Sequence, residues 1–159
     1  MKFKLTFLFL FLSREGLAAC GYTLSLPALS YTVSSSNVTT AYSLNLSRNN
    51  NGSSSCNNFM VGFSKGGANN YNRVATNIST GSTLSYNLYK YSNSSSSLKT
   101  INDANSNSEI LTGTVAKNAN TSLNYYFRLG TLNGSSLTRG GLYQDTITVA
   151  VNSGNLSFD

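Results

Sequence analysis

Few side chains in this 159-residue chain could do covalent or acid–base chemistry. It has no histidine, only two cysteines, Cys20 and Cys56, and only Glu15, Asp103, Glu109, Asp145 and Asp159 as carboxylates. A Ser-His-Asp or Cys-His arrangement is therefore excluded, and a zinc site would need ligands the chain does not own. Paired carboxylates of the glycosidase kind are poorly served, because Asp103 sits in a serine- and asparagine-rich stretch and Asp159 at the end of the chain. Asp103 and Glu109 could share a calcium ion with backbone oxygens, yet no glycine-bearing calcium loop surrounds them. Lys65-Gly66-Gly67 invites a test for phosphate binding. A phosphate cradle places its glycines between a strand and a helix N-terminus, and no helical periodicity follows. The residues point away from an enzyme, and no cofactor is expected.

The cysteines raise the question of compartment. Met1 to Ala18 reads as a secretory leader, with Lys2 and Lys4 ahead of the apolar run Leu5–Leu12 and small residues at Gly16 and Ala18 before a cut. The run is too short to span a bilayer. Export places the mature chain in an oxidising compartment, where a Cys20–Cys56 bridge can form. Leu17-Ala18-Ala19-Cys20 also has the form of a bacterial lipobox, in which Cys20 would be acylated, Cys56 left as a lone thiol and the chain tied to a membrane. Arg14 and Glu15 beside that motif count against lipidation.

The formal charge is +6; removing Lys2, Lys4, Arg14 and Glu15 with the leader leaves eight basic and four acidic residues. Arg48, Lys65, Arg73, Lys90, Lys99, Lys117, Arg128 and Arg139 are scattered singly, so no nucleic-acid footprint forms and a solvated, mildly basic surface is expected.

The elements that must position these residues alternate with period two, as strands do. Tyr22, Leu24 and Leu26 form one stripe, which Pro27 interrupts before Leu29, Tyr31 and Val33 resume it. Ser34–Asn37 reads as a turn, Val38, Thr40, Tyr42, Leu44 and Leu46 as a second stripe, and Arg48–Ser55 as a turn or mobile loop. Cys56 opens a strand whose Phe59, Val61 and Phe63 point one way. Leu84, Tyr86 and Leu88 oppose Ser85, Asn87 and Tyr89, with Tyr91 extending the second row; this reads as cross-strand packing before it reads as a sugar-binding face. Ser92–Ser108 is expected to be disordered or variable. Glu109–Val115 and Leu123–Leu129 supply two more strands, and Thr131–Gly141 a second turn region. In the closing run, Tyr143, Asp145, Ile147, Val149 and Val151 share a parity against Gln144, Thr146, Thr148 and Ala150, which predicts a half-buried strand. Asp145 at its start is expected to reach water or accept from backbone amides of the preceding turn. Seven or so short strands without a helix predict a single all-β sandwich domain.

The closing pattern Gly-x-Tyr-x-Asp-Thr-Ile-Thr-Val-x-Val resembles the end of the spore coat protein U domain family, which includes subunits of archaic chaperone-usher pili. Three earlier stretches resemble it in the same order: Cys56–Gly67 (CNNFMVGFSKGG), Tyr71-Asn72-Arg73 and Leu84–Tyr89. The likeness covers roughly Cys20 to Val151 and divides the chain into a leader (1–18), a domain (19–151) and a polar tail (152–159). It implies an incomplete immunoglobulin-like sandwich lacking its last strand, held by a periplasmic chaperone, delivered to an outer-membrane usher and completed by a strand from a neighbouring pilus subunit. It also implies that Arg73, Tyr86, Asn87, Tyr89, Tyr143 and Asp145 are framework residues. The tail is too polar to supply a core strand. Rod subunits of the family carry a donor segment ahead of their first cysteine, whereas Cys20 falls almost at the expected mature start, as in a tip subunit; tip proteins of the family usually add a second domain. The alternative is a free-standing exported module, lipid-anchored or not, that binds glycan or a surface through its tyrosines.

Overall fold

The computed structural model describes residues 4–6, 20–27, 30–32, 39–130 and 142–154, with only the backbone described for 4–6 and 30–32. The expected turns at Ser34–Asn37 and Thr131–Gly141, the processing site and the end of the tail lie outside the described residues, as do Arg139 and Asp159.

Period-two alternation becomes strand almost everywhere it was read. The strands are β1 (Lys4–Thr6), β2 (Tyr22–Ser25), β3 (Ser30–Thr32), β4 (Thr39–Arg48), β5 (Asn58–Phe63), β6 (Arg73–Asn77), β7 (Thr83–Tyr89), β8 (Leu111–Thr114), β9 (Ala119–Leu129), β10 (Leu142–Gln144) and β11 (Val149–Ser153). They form a large sheet in the order β2-β4-β9-β7-β6-β10-β1-β3 and a small sheet in the order β11-β5-β8, packed as a sandwich. Cys56 does not open β5 but sits in a 3-10 turn, Ser54–Asn57, just ahead of it.

The inner faces meet in one core. Leu44 and Leu46, Leu84 and Leu88, and Tyr125, Phe127 and Leu129 come from the large sheet; Phe59, Val61, Phe63, Val149 and Val151 come from the small one. Each large apolar side chain removed from water stabilises by about 1.5–3 kcal/mol. Tyr86 stacks on Phe127 at 5.5 Å between ring centres.

Three expectations need correction. Arg48–Ser55 is not wholly a loop: Arg48 closes β4 on the parity of Leu44 and Leu46 and is buried. Its guanidinium donates to Asn57 Oδ1 at 2.6 Å and to the carbonyls of Ser53 (2.8 Å), Asn51 and Val115 (both 3.3 Å). Arg73 is fully buried too, so neither cation belongs to a solvated surface. Ser92–Ser108 is irregular but packed. Leu98 is fully buried in the core with Phe59, Val61 and Phe63, the amide of Phe63 donates to Lys99 O at 2.9 Å, and Ile101 lies against Gly62 on the outer face of β5, where Met60 is also buried.

The closing run is two strands rather than one. β10 pairs with β6 in the large sheet and β11 with β5 in the small one, so the chain crosses between sheets at Asp145–Thr148. The parity survives the crossing: Tyr143, Asp145, Ile147, Val149 and Val151 are all buried. The Pro27 break likewise splits one apolar stripe, sending β2 and β3 to opposite ends of the large sheet.

Candidate functional site

The chemistry-bearing residues gather where the C-terminal run crosses from sheet to sheet. Asp145 Oδ1 accepts from the amides of Gly67 and Thr146, each at 2.8 Å, and Oδ2 accepts the Tyr86 hydroxyl at 2.5 Å. The carboxylate thus takes one amide from a loop 78 residues earlier, not from the preceding turn, and is almost shut off from water. Gly66 has φ +68° and runs so close that a Cβ there would lie 2.2 Å from Asp145 Oδ2. The Gly66-Gly67 pair therefore serves close backbone approach, and Gly67 donates to the chain's own carboxylate. Burial first, then the hydrogen bond to Asp145, pushes the Tyr86 hydroxyl far above its ordinary value and keeps it neutral.

Beside this pair, Arg73 spans the gap between the sheets. Nε donates to Ser64 O at 2.9 Å, one terminal nitrogen to Asn87 Oδ1 at 2.6 Å, and the other to Ser64 O (2.7 Å), Leu98 O (2.6 Å) and Phe63 O (3.2 Å). Burial lowers the guanidinium to about 10, against the opposing pull of Tyr86, Tyr71 and Asp145, so it stays charged at neutral pH. Asn87 passes the link on by donating to Tyr71 O at 2.6 Å. The Tyr71 ring has Arg73, Lys65 and Lys99 within 5.2 to 5.9 Å of its centre. Tyr143 is buried on β10 opposite Asn77. Tyr89 is the weakest of the groups acting on Arg73 and lies under the Arg128 guanidinium at 4.2 Å.

Asp103 and Glu109 do not converge. Asp103 accepts the Tyr71 hydroxyl at 2.8 Å and faces Lys65 at 3.4 Å; the Tyr71 hydrogen bond, then Thr100, holds its carboxyl below the usual range. Glu109 pairs with Lys99 at 2.8 Å; burial works against its charge, but Lys99 and the amides of Asn105 and Ser106 outweigh it, so its value is also lowered. Among the described residues no three acidic, cysteine or histidine side chains gather as a metal site.

Cys20 and Cys56 are joined by a disulfide, Cα to Cα 5.6 Å apart across 36 residues of sequence. The Cys20 sulfur is thereby committed, which overturns the acylated alternative and the membrane tie that rested on it. Closing a loop of that length stabilises by about 3–4 kcal/mol in the chain-entropy description. The Tyr22 hydroxyl donates to Cys56 O and, at 3.3 Å, to Asn58 O, tying β2 to the same turn.

A second feature is a strand-wide slot between β10 and β3. β1 fills it, parallel to β10 (Lys4 opposite Leu142, Leu5 opposite Tyr143) and antiparallel to β3 (Lys4 opposite Thr32, Leu5 opposite Tyr31, Thr6 opposite Ser30). The strand that bridges these edges comes from inside the expected leader. At the other end of the same run, β11 is an edge strand of the small sheet.

The model of the Spore Coat Protein U domain matches residues 13–150. Among solved structures, a chain from the CsuC–CsuE chaperone–tip adhesion subunit pre-assembly complex of the archaic chaperone-usher Csu pili of Acinetobacter baumannii is similar in fold. The TM-score is 0.54 at 15% sequence identity, over 82% of this chain and 39% of that one. This chain thus spans well under half the length of the one it matches. No curated protein matches it in sequence.

Proposed function

Because this chain belongs to the Spore Coat Protein U domain family, we propose that it is a structural and adhesive subunit of a secreted chaperone-usher fibre, completed by a strand from a partner. The observation that carries this reading is the slot between β10 and β3, bridged by Lys4–Thr6. Processing after Ala18 removes that bridge and leaves two strand edges facing each other across one strand's width. Unpaired edges of this kind take up an extended segment by main-chain hydrogen bonds, with alternate side chains seated in the core.

A periplasmic chaperone supplies the first such strand and a neighbouring subunit the next, with passage through an outer-membrane usher to the cell surface. The similarity in fold to a chain of a chaperone–tip subunit complex supports the chaperone step. Arg73, Asn87, Tyr86, Tyr143 and Asp145 hold the crossing of the C-terminal run rigid, so that both edges it offers stay in place; their role is framework rather than catalysis, and Tyr89 joins them at the margin, between Arg73 and Arg128.

Intact-mass analysis of the protein isolated from the cell envelope, with identification of what copurifies, tests the reading. It calls for a mass beginning at Ala19, two hydrogens short until reduction, and a stoichiometric strand-donating partner. A monomer that keeps residues 1–18, or one that purifies alone with them removed, would overturn it.

A further inference from the structure

β9 outruns its neighbour. β7 pairs with it only along Tyr126–Leu129, whereas β4 pairs with it from Ala119 to Arg128, so the flank of β9 up to Tyr125 that faces away from β4 carries no strand partner among the described residues. On the opposite side of that space stands the outer edge of β8, which is bonded only to β5. The gap is an open cleft of about 330 Å³ with Leu111 and Leu123 among its walls, Thr112 from β8, Asn124 and Tyr126 from β9, and Lys90 and Tyr91 at its end. It lies away from the slot between β10 and β3, and the fibre reading does not use it.

The groups around the cleft are held in place. Lys90 Nζ donates to Asn107 O at 2.8 Å and stands 5.8 Å from the centre of the Tyr91 ring. Tyr91 is 55% exposed, one of two large hydrophobic side chains among the described residues left so open, yet its amide is fixed by Ser94 Oγ. Asn124 Oδ1 accepts the Ser43 hydroxyl at 2.6 Å, which leaves the amide nitrogen to donate. Arg128, two residues beyond Tyr126, is anchored on the carbonyls of Ser92 and Ser94 that follow Tyr91. An exposed aromatic face, amide and hydroxyl donors and a lysine with unused N–H groups are present, and no residue lining the cleft is a carboxylate. A saccharide offers its ring C–H face to an aromatic and its hydroxyls to groups that donate and accept, and an acidic one adds a carboxylate for the ammonium.

We propose that this cleft binds an acidic saccharide, one or two uronic-acid rings long, stacked on Tyr91 with its carboxylate on Lys90. The volume is at the small end for ligand sites, which fits a short oligosaccharide segment.

The test titrates the protein, in the form in which it purifies from the cell envelope, with digalacturonic acid and with maltose as the neutral control, followed by calorimetry. Saturable binding of digalacturonate with Kd about 1 mM is expected, at least about tenfold tighter than maltose. Tyr91→Ala should weaken it about tenfold and Tyr91→Phe should restore it. Lys90→Gln should lower digalacturonate affinity about tenfold and leave maltose unchanged, and Asn124→Asp, which puts a carboxylate in the cleft, should abolish the preference. Tyr91 is exposed, so its replacement leaves the fold intact. Absence of saturation by digalacturonate at about 20 mM, equal affinity for maltose, or indifference to Tyr91→Ala would each overturn the proposal.

Discussion

Replacing Arg73 by methionine tests whether the buried cation organises the crossing between sheets. Methionine keeps much of the apolar stem but donates nothing, so the carbonyls of Ser64, Leu98 and Phe63 lose their donor, while the Asn87 side-chain oxygen keeps the Leu88 amide at 3.0 Å. Each buried acceptor left unmet costs about 1–3 kcal/mol. Against this, the fall of the guanidinium to about 10 records roughly 3 kcal/mol of desolvation that the variant no longer bears. The net is a loss of about 3 kcal/mol, at the lower end of what breaking a buried charged network costs elsewhere. In urea, followed by tyrosine emission on the protein as purified, that moves the midpoint down by about 1.5 M. Arg73→Lys keeps the charge but cannot reach both Ser64 and Asn87 with a rigid fork, and should lose about half as much. A methionine variant within about 1 kcal/mol of the parent would mean that the three carbonyls had found other donors and that the cation does not organise the crossing.

Two glycines with nearly the same backbone should part company. Gly66→Ala forces a Cβ to 2.2 Å from Asp145 Oδ2, whereas Gly81, at φ +70°, has nothing within 4 Å; urea midpoints should register a loss above about 3 kcal/mol for the first and about 1 kcal/mol for the second. Burial raises the hydroxyl values of Tyr86 and Tyr125 above their ordinary 10.0. The folded form then keeps protons that the unfolded chain sheds, so stability is full below pH 10 and falls above it, by about 1.4 kcal/mol per pH unit per tyrosine. The lowered Arg73 adds a slope of opposite sign over the same range, and Tyr125→Phe should make the decline measured by alkaline urea titrations shallower. Because the Tyr125 hydroxyl is buried with no hydrogen-bond partner among the described residues, the same variant should be neutral or up to about 1 kcal/mol more stable at pH 7.

Much of the sandwich was legible because period-two alternation survives wherever a strand buries one face. Leu84, Tyr86 and Leu88 on β7 and Tyr125, Phe127 and Leu129 on β9 turned inward as their parity requires. Parity also carried through the crossing at Asp145, yet it says nothing about which sheet a strand joins, so the division into β10 and β11 was hidden. Arg48 was missed because its charge argued for water, although its position two residues after Leu46 placed it on the inner face. The fate of Ser92–Ser108 turned on Leu98, one apolar residue among serines, whose burial in the core holds the segment between β7 and β5. Framework residues were named through resemblance; their partners, Gly67, Ser64 and the Leu98 carbonyl, are mostly backbone groups and leave no side-chain signal to read.

The central claim is that the edges of β10 and β3 are open once Lys4–Thr6 is gone and are closed by a partner's strand. Amide hydrogen exchange at the slot-facing amides of β10 and β3 measures it directly, in the leader-free protein alone and in the complex with its copurifying partner; on β10 that amide is Tyr143, because Leu142 and Gln144 turn toward β6. Those amides should exchange within seconds when the protein is alone, with β4 and β9 still protected, and be strongly protected in the complex. Protection of both edges in the isolated, monomeric, leader-free protein would contradict it.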